Sequence, residues 1–346
     1  MPPNDIHAAF VEFGAGLFDE ARQARLFMMM ASRAGITHRY STLAAGGDAN
    51  GGIDRDAFYR PGHFPTTEAR MQRFETHALP LAVAAANELG TIDFSRITHL
   101  IVASCTGFTA PGLDLQLIDA LGLPKTVFRS LVSFMGCAAA VPALRIAADI
   151  VLAHPQAQVL VLNVELCTLH FQDTQDLEKV LSFLLFSDGA SAALVSSQPV
   201  GAALGAFRSA VIPGSADLIT WKVGNSGFEM HLSGAVPATI ARALEQETHT
   251  DGSAGLLQGA PPQAFAHWAV HAGGRSVLDA VERSFGLDPD ALEVSRSVLN
   301  DYGNMSSATV MFALKRIMHR ATPGQHGMAL AFGPGMVAES FQFEIA

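Results

Sequence analysis

The chain has 346 residues, about two domains' worth at roughly 150 residues each. It is 49% apolar and 16% charged, which excludes a disordered chain and supplies a large core. A net charge of −10 excludes sequence-independent nucleic-acid binding, while a local basic patch for a small phosphorylated ligand stays open.

The segment Met1–Glu20 has no basic stretch leading into an apolar one, and no run of about 18 apolar residues is unbroken. The expectation is a cytoplasmic protein without a secretion signal or membrane span. Going along the chain, Ile97–Ala103 predicts a buried strand and Ala138–Ala153 a helix whose polar residues, Arg145 and Asp149, share one face. Pro155 stops that helix. Val159–Val164 and Gly189–Val195 read as further buried strands. Such continuous apolar runs predict strands covered on both faces, hence helices on both sides of the sheet. A polar stretch at Ser196–Pro199 places a boundary near residue 200. Beyond it, Ala266–Val270 predicts a strand and Gly274–Phe285 an amphipathic helix presenting Leu278, Val281 and Phe285. Ser306–His319 predicts a helix and Met328–Phe332 a strand, followed by a Gly-Pro-Gly turn. Gly136-Cys137 and Gly303-Asn304 each open a helix of small residues, a weak internal echo at about half the chain length.

The cysteines, Cys105, Cys137 and Cys167, form no CxxC pair, so neither a disulfide framework nor a zinc site is expected. Cys137 lies where a strand gives way to a helix. The helix dipole there would lower its pKa and favour the thiolate, whereas the plainer alternative is a thiol packed as a small hydrophobe. His271 ends a strand and precedes Ala272-Gly273-Gly274, the place where α/β sites gather. It would pair with a thiolate, or be one structural histidine among thirteen. His267 and His271 do not suggest a metal pair, because the segment is strand-like and no third ligand is evident. Asn304 reads as a cap or turn residue, or as a donor to an oxyanion.

Four motifs in order change this reading: Gly136-Cys137, Trp268-Ala269-Val270-His271-Ala272-Gly273-Gly274, Gly303-Asn304-Met305-Ser306-Ser307, and Phe332-Gly333-Pro334-Gly335. With them the chain, from about Asp5 to Glu344, resembles the type III polyketide synthases, the chalcone and stilbene synthase family of bacterial type. The resemblance implies a five-layer αβαβα thiolase fold of two duplicated halves, 1–200 carrying the cysteine and 201–346 carrying the histidine and asparagine. It implies that Cys137 accepts an acyl-CoA starter, that His271 keeps it ionised, and that His271 and Asn304 stabilise the enolate of decarboxylating malonyl-CoA. Claisen extension and cyclisation to a pyrone, resorcinol or related phenolic follow, without a metal or redox cofactor.

By the same resemblance Phe186 and Met230 are the two gate positions between the CoA tunnel and the cavity, methionine being a departure that admits bulkier or aliphatic chains. Cys105, Ala110, Cys167 and His170 fall at cavity positions, Ala110 where plant members reach into the partner subunit. Gly273, Gly274, Ser306, Gly333 and Pro334 belong to the matched motifs that line the substrate site. Of the basic residues that hold CoA phosphates only Arg33 is retained. Leu26 and Met29 replace the usual lysine and arginine, and Arg25 is one residue out of register, so an acyl carrier protein is a further expected partner. A homodimer is implied. Family members carry a strand before the corner matching Pro2-Pro3, and this strand is expected to be missing. Two alternatives stand beside this reading: a ketoacyl synthase III, disfavoured because Ala272-Gly273-Gly274 replaces its usual Gln-Ala-Asn, and a catalytically impaired acyl-CoA-binding homologue. A serine hydrolase lacks its GxSxG elbow.

Overall fold

The computed structural model describes residues 1–46, 53–247 and 255–346. In chain order the first part holds β1 (Asn4–Asp5), α1 (His7–Gly16), α2 (Ala21–Ser32), β2 (Tyr40–Ser41), α3 (Thr67–Asn87), β3 (His99–Ser104), α4 (Leu113–Leu121) and β4 (Phe128–Ser133). Next come α5 (Ala140–Ala153), β5 (Val159–Leu166), α6 (Leu177–Leu185) and β6 (Asp188–Val195). The second part holds β7 (Ala202–Val211), β8 (Ile219–Gly224), β9 (Gly227–Leu232), α7 (Val236–Glu247) and β10 (His267–Val270). It ends with α8 (Arg275–Phe285), α9 (Glu293–Tyr302), α10 (Ala308–Met318), β11 (His326–Gly333) and β12 (Val337–Ile345).

Two four-stranded sheets organise these elements, ordered β4-β3-β5-β6 and β10-β11-β12-β7. In the first, β4, β3 and β5 are parallel and β6 is antiparallel. In the second, β10 and β11 are parallel and the remaining pairs antiparallel. The chain passes from one sheet to the other between Val195 and Ala202. Short β1–β2 and β8–β9 pairs lie outside the sheets.

The layers follow from strand alternation. All eight residues of β5 are buried, and they sort by parity. Leu160, Leu162, Val164 and Leu166 pack outward with Phe74, Ala78 and Ala82 of α3, whereas Val159 and Val161 pack inward. In β11, Met328, Leu330 and Phe332 face outward with Leu278 and Val281 of α8, while Ala329 and Ala331 face inward. The inward residues of both sheets share one core with Ala140, Ala143 and Ala147 of α5 and Ala308, Ala313 and Leu314 of α10. Helix α5 contacts β3, β5 and β6 of one sheet and β7 and β12 of the other, and α10 likewise touches both. The result is the αβαβα sandwich expected from the resemblance. The stretch Gly136–Ala153 has the length and composition of a membrane span, but its first half, Ala138–Leu144, lies buried in the central layer.

Observed boundaries differ slightly from expectation. The helix after Cys137 begins at Ala140, because Gly136–Ala138 forms a 3-10 turn. The helix after Asn304 begins at Ala308, because Ser306 takes a left-handed conformation with φ 50°.

Candidate active site

Cys137 is placed by a sharp turn. Phe134 and Gly136 both have positive φ, 58° and 57°. At Gly136 a side chain is excluded twice, by the backbone conformation and by the Pro334 ring, which fills the space a Cβ would take. The Phe332-Gly333-Pro334 motif is thus a packing partner of the cysteine turn. The sulfur faces a cavity and is half-buried.

His271 follows β10, tied by its backbone N–H to the Leu330 carbonyl at 2.8 Å. Its ring is buried, and neither nitrogen has a hydrogen-bond partner among the described residues. Both ring nitrogens are therefore available to whatever enters the cavity. Asn304 follows α9 and precedes α10. Its Oδ1 accepts from Ser306 N at 2.8 Å and lies 4.0 Å from Cys137 Sγ. One Nδ2 hydrogen is directed to the Gly273 carbonyl at 3.3 Å, leaving the second free to donate. Asn304 is thus both the turn residue and a cavity-facing amide. Cys137 precedes α5 and Asn304 precedes α10, so the amino ends of the two central helices converge on one site.

Electrostatics depart from the sequence reading. The dipole was expected to lower the Cys137 pKa. Instead burial pushes the thiol up to about 12, with hydrogen bonds to Ser306 and Asn304 opposing. The helix proper starts three residues later, and the apolar surroundings outweigh its dipole. Burial also pushes His271 down to about 3. Each group alone is held neutral. A proton passed from thiol to imidazole would instead create two charges that stabilise each other.

Glu165 was not singled out from the sequence. It is a buried carboxylate near the end of β5, the only acidic residue in that otherwise nearly apolar strand, which was the available signal. It accepts from Cys105 N at 3.0 Å, Thr106 Oγ1 at 2.9 Å and Ser307 Oγ at 2.5 Å. The Cys105 thiol lies 3.4 Å from Glu165 Oε2 and 3.2 Å from Ser306 Oγ. Burial raises the pKa of Glu165, and with it that of Cys105. Trp221, also missed, closes this wall by donating Nε1–H to the Cys105 carbonyl at 2.7 Å.

The cavity measures about 820 Å³, room enough for a long acyl thioester. Cys105, Cys137, Cys167, Phe186, Met230, His271, Gly273, Gly274, Asn304, Ser306, Gly333 and Pro334 all line it, with Arg33 at its rim. Phe186, Met230 and Cys167 form one buried apolar cluster against Cys137, Leu185 and Trp221. His170, expected to line it, does not, and Ala110, expected to face a partner subunit's cavity, lies outside this one. Ala110 is exposed on the loop before α4. His170 is buried behind the wall. Its Nδ1 accepts from Phe228 N at 3.0 Å, which leaves Nε2–H to donate to the Thr106 carbonyl at 2.6 Å. Its ring stacks on Phe228 at 4.3 Å, and burial lowers its pKa to about 3. His170 therefore braces the wall and is no cavity-lining residue. Met29 and Met30 of α2 also line the cavity and are exposed, as are Leu26 and Met28 on the same helix.

Residues 65–199 match the family model for the N-terminal domain of chalcone and stilbene synthases, and residues 204–345 match that for the C-terminal domain. The chain belongs to the chalcone and stilbene synthase family. It is a type III polyketide synthase, an acyltransferase of the condensing kind. This polyketide synthase is 32% identical over 296 residues to the alpha-pyrone synthesis polyketide synthase-like Pks18 of Mycobacterium tuberculosis, covering 81% of this chain and 74% of that one. It matches the C-terminal type III polyketide synthase domain of Steely1 from Dictyostelium with a TM-score of 0.89 and 25% identity, over 100% of this chain and 96% of that one. It matches 1,3,6,8-tetrahydroxynaphthalene synthase from Streptomyces coelicolor A3(2) with a TM-score of 0.84 and 27% identity, over 99% and 96%. The polyketide synthase reading therefore holds over the ketoacyl synthase III alternative.

Proposed function

We propose that this polyketide synthase loads a CoA-borne acyl starter on Cys137 and extends it with malonyl units through His271 and Asn304. The product is a cyclised pyrone, resorcinol or related phenolic. The observation that carries this reading is the convergence on one apolar cavity of a thiol, an imidazole and an amide N–H, the imidazole nitrogens and one amide hydrogen having no partner among the described residues.

In the loading step His271 takes the Cys137 proton as Sγ attacks the starter carbonyl, and CoA leaves as the thiolate, which is then protonated. Malonyl-CoA next loses CO₂, and the electron pair of the broken C–C bond becomes an enolate. His271 N–H and the second Asn304 Nδ2–H donate to its oxygen. The enolate carbon attacks the Cys137 thioester, the C–S bond breaks, and the chain, two carbons longer, leaves on CoA. Repeated loading and extension precede ring closure. These steps use thioesters throughout and call on no metal or redox cofactor.

Phe186 and Met230 act as the gate, and Arg33 meets the CoA phosphates. With Leu26 and Met29 beside it the phosphate grip is weak, which leaves an acyl carrier protein as a second starter carrier. The halves 1–200 and 201–346 supply cysteine and amide-plus-imidazole respectively. A second copy of the chain covers the free edge of the first sheet, where Phe128, Leu131 and Met135 stand exposed beside Phe108 and Ala110. A reducing cytoplasmic setting suits a thiol nucleophile.

The test is mass spectrometry of products from malonyl-CoA and a panel of acetyl to long-chain and aromatic acyl-CoA starters, with Cys137→Ala alongside. Pyrones or resorcinols that vanish in the variant are expected. Folded protein with neither CO₂ release nor Cys137 acylation, from CoA or carrier-protein thioesters, refutes the reading in favour of an impaired acyl-CoA-binding homologue.

A further inference from the structure

Arg39 precedes β2 and its side chain is fully buried. Among the described residues no carboxylate forms an ion pair with its guanidinium; Asp5 and Asp188 act on it only through space. Nη1 donates to the carbonyls of Phe183 and Phe186, both at 2.9 Å, and Nε to His7 Nδ1 at 3.0 Å. The guanidinium lies over the Phe10 ring, 5.3 Å from its centroid. Burying a cation against neutral acceptors with no paired carboxylate, and with Nη2 unpartnered among the described residues, is costly, so the arrangement calls for a reason beyond stability.

The two carbonyls identify what the guanidinium fixes. They belong to the carboxyl end of α6, where backbone acceptors lack helical partners and the dipole favours a cation. Phe186 is the first residue beyond that helix, the proposed gate. Its backbone is joined to the amide's segment: Asn304 N donates to the Leu185 carbonyl at 2.7 Å, and Ser187 N to the Asn304 carbonyl at 2.9 Å. The Arg39 stem braces the same crossing. A Cβ on Gly303 would stand 2.8 Å from Arg39 Cγ and 2.9 Å from the Leu185 carbonyl oxygen, so Gly303 fits only as glycine between them.

We infer that Arg39 is a positioning residue that locks the Phe186 gate and the Asn304 amide into one register, so that gate aperture and enolate stabilisation are set by a single buried guanidinium. The inference rests on the roles proposed for Phe186 and Asn304. Loss of the guanidinium frees the Phe186 carbonyl, relaxes the gate, and lets the linked Asn304 segment drift from the enolate oxygen.

The test uses Arg39→Met, which keeps the buried stem, and Arg39→Lys, which keeps the charge but loses the fork. The first readout needs no turnover: the rate of Cys137 alkylation by a bulky maleimide relative to iodoacetamide. Arg39→Met is expected to raise that ratio about tenfold, with Arg39→Lys between it and wild type, and to lower condensation kcat about 10- to 100-fold with KM for malonyl-CoA within about threefold. In a Phe186→Ala background Arg39→Met is expected to leave the alkylation ratio unchanged, because both act on one gate. An unchanged ratio in folded Arg39→Met, or multiplying effects of the two substitutions, overturns the inference. Should Arg39→Met not fold, Arg39→Lys gives the same readings; if neither folds, Arg39 is scaffold alone and the inference falls. A wild-type protein that neither loads nor condenses refutes the proposed function, while the alkylation ratio still judges Arg39.

Discussion

The Cys137 sulfur and Asn304 Oδ1 lie 4.0 Å apart although 167 residues separate them in the chain. Each stands just before one of the paired central helices, so the fold's internal duplication brings them together. An amide donor can then hold the malonyl enolate beside the thioester on the sulfur without either backbone moving.

The neutral ground states of Cys137 and His271 predict a distinctive alkylation profile. Proton transfer within the pair leaves its total charge unchanged, so iodoacetamide reactivity of Cys137 should be flat around neutral pH. In His271→Ala the thiol titrates alone with its pKa raised by burial, so the rate at neutral pH should fall about 100-fold and recover by about tenfold per pH unit. The same flat profile in the variant would separate His271 from the nucleophile.

Gly136→Ala forces a Cβ onto the Pro334 ring from a left-handed backbone. The expected cost is about 1–3 kcal/mol in urea unfolding, with slower Cys137 acylation at unchanged secondary structure. Wild-type stability and acylation together would show that the turn tolerates what the packing forbids.

Met230→Phe places a stiff ring where a flexible thioether packs against Phe186 and Cys167. Turnover of long-chain acyl-CoA should fall by about tenfold or more while acetyl-CoA stays within about threefold. Equal losses on both starters would remove Met230 from the gate.

Acid should destabilise the protein through its buried histidines. His170 and His271 are pushed down to about 3 by burial, while unfolded histidine titrates near 6.5. Between those values the unfolded chain binds more protons, so stability is full above about 6.5 and is lost as pH falls toward about 3. The urea midpoint should drop steadily from about pH 7 to about pH 4, and His170→Gln should flatten that slope while lowering the midpoint at pH 7. A slope untouched by the substitution would place the acid sensitivity elsewhere.

The strands were legible because both faces are buried, as in Val159–Leu166, and the helices because stripes such as Leu278, Val281 and Phe285 repeat at helical spacing. The motif around Cys137 pointed to chemistry but not to its electrostatics, since desolvation depends on everything that closes over the thiol. His170 was expected in the cavity because it replaces a cavity-lining threonine of the family; the short 3-10 turn Cys167–His170 rotates the imidazole behind the wall. Glu165 and Arg39 escaped notice for a shared reason. Their partners lie about 60 and about 145 positions away, distances at which local periodicity says nothing.

The seat of Pro334 against Gly136 also bears on how the chain is made. While residues up to about 300 emerge from the ribosome, the cysteine turn has no ring to close on it and the imidazole has no amide beside it. The directed site is assembled only when β11 and the turn after it dock, so through most of its synthesis the chain carries an ordinary exposed thiol with nothing to orient an acyl thioester against it. The same lateness means that a ribosome stalled short of Pro334 releases a polypeptide with a nucleophile but no machinery to aim it.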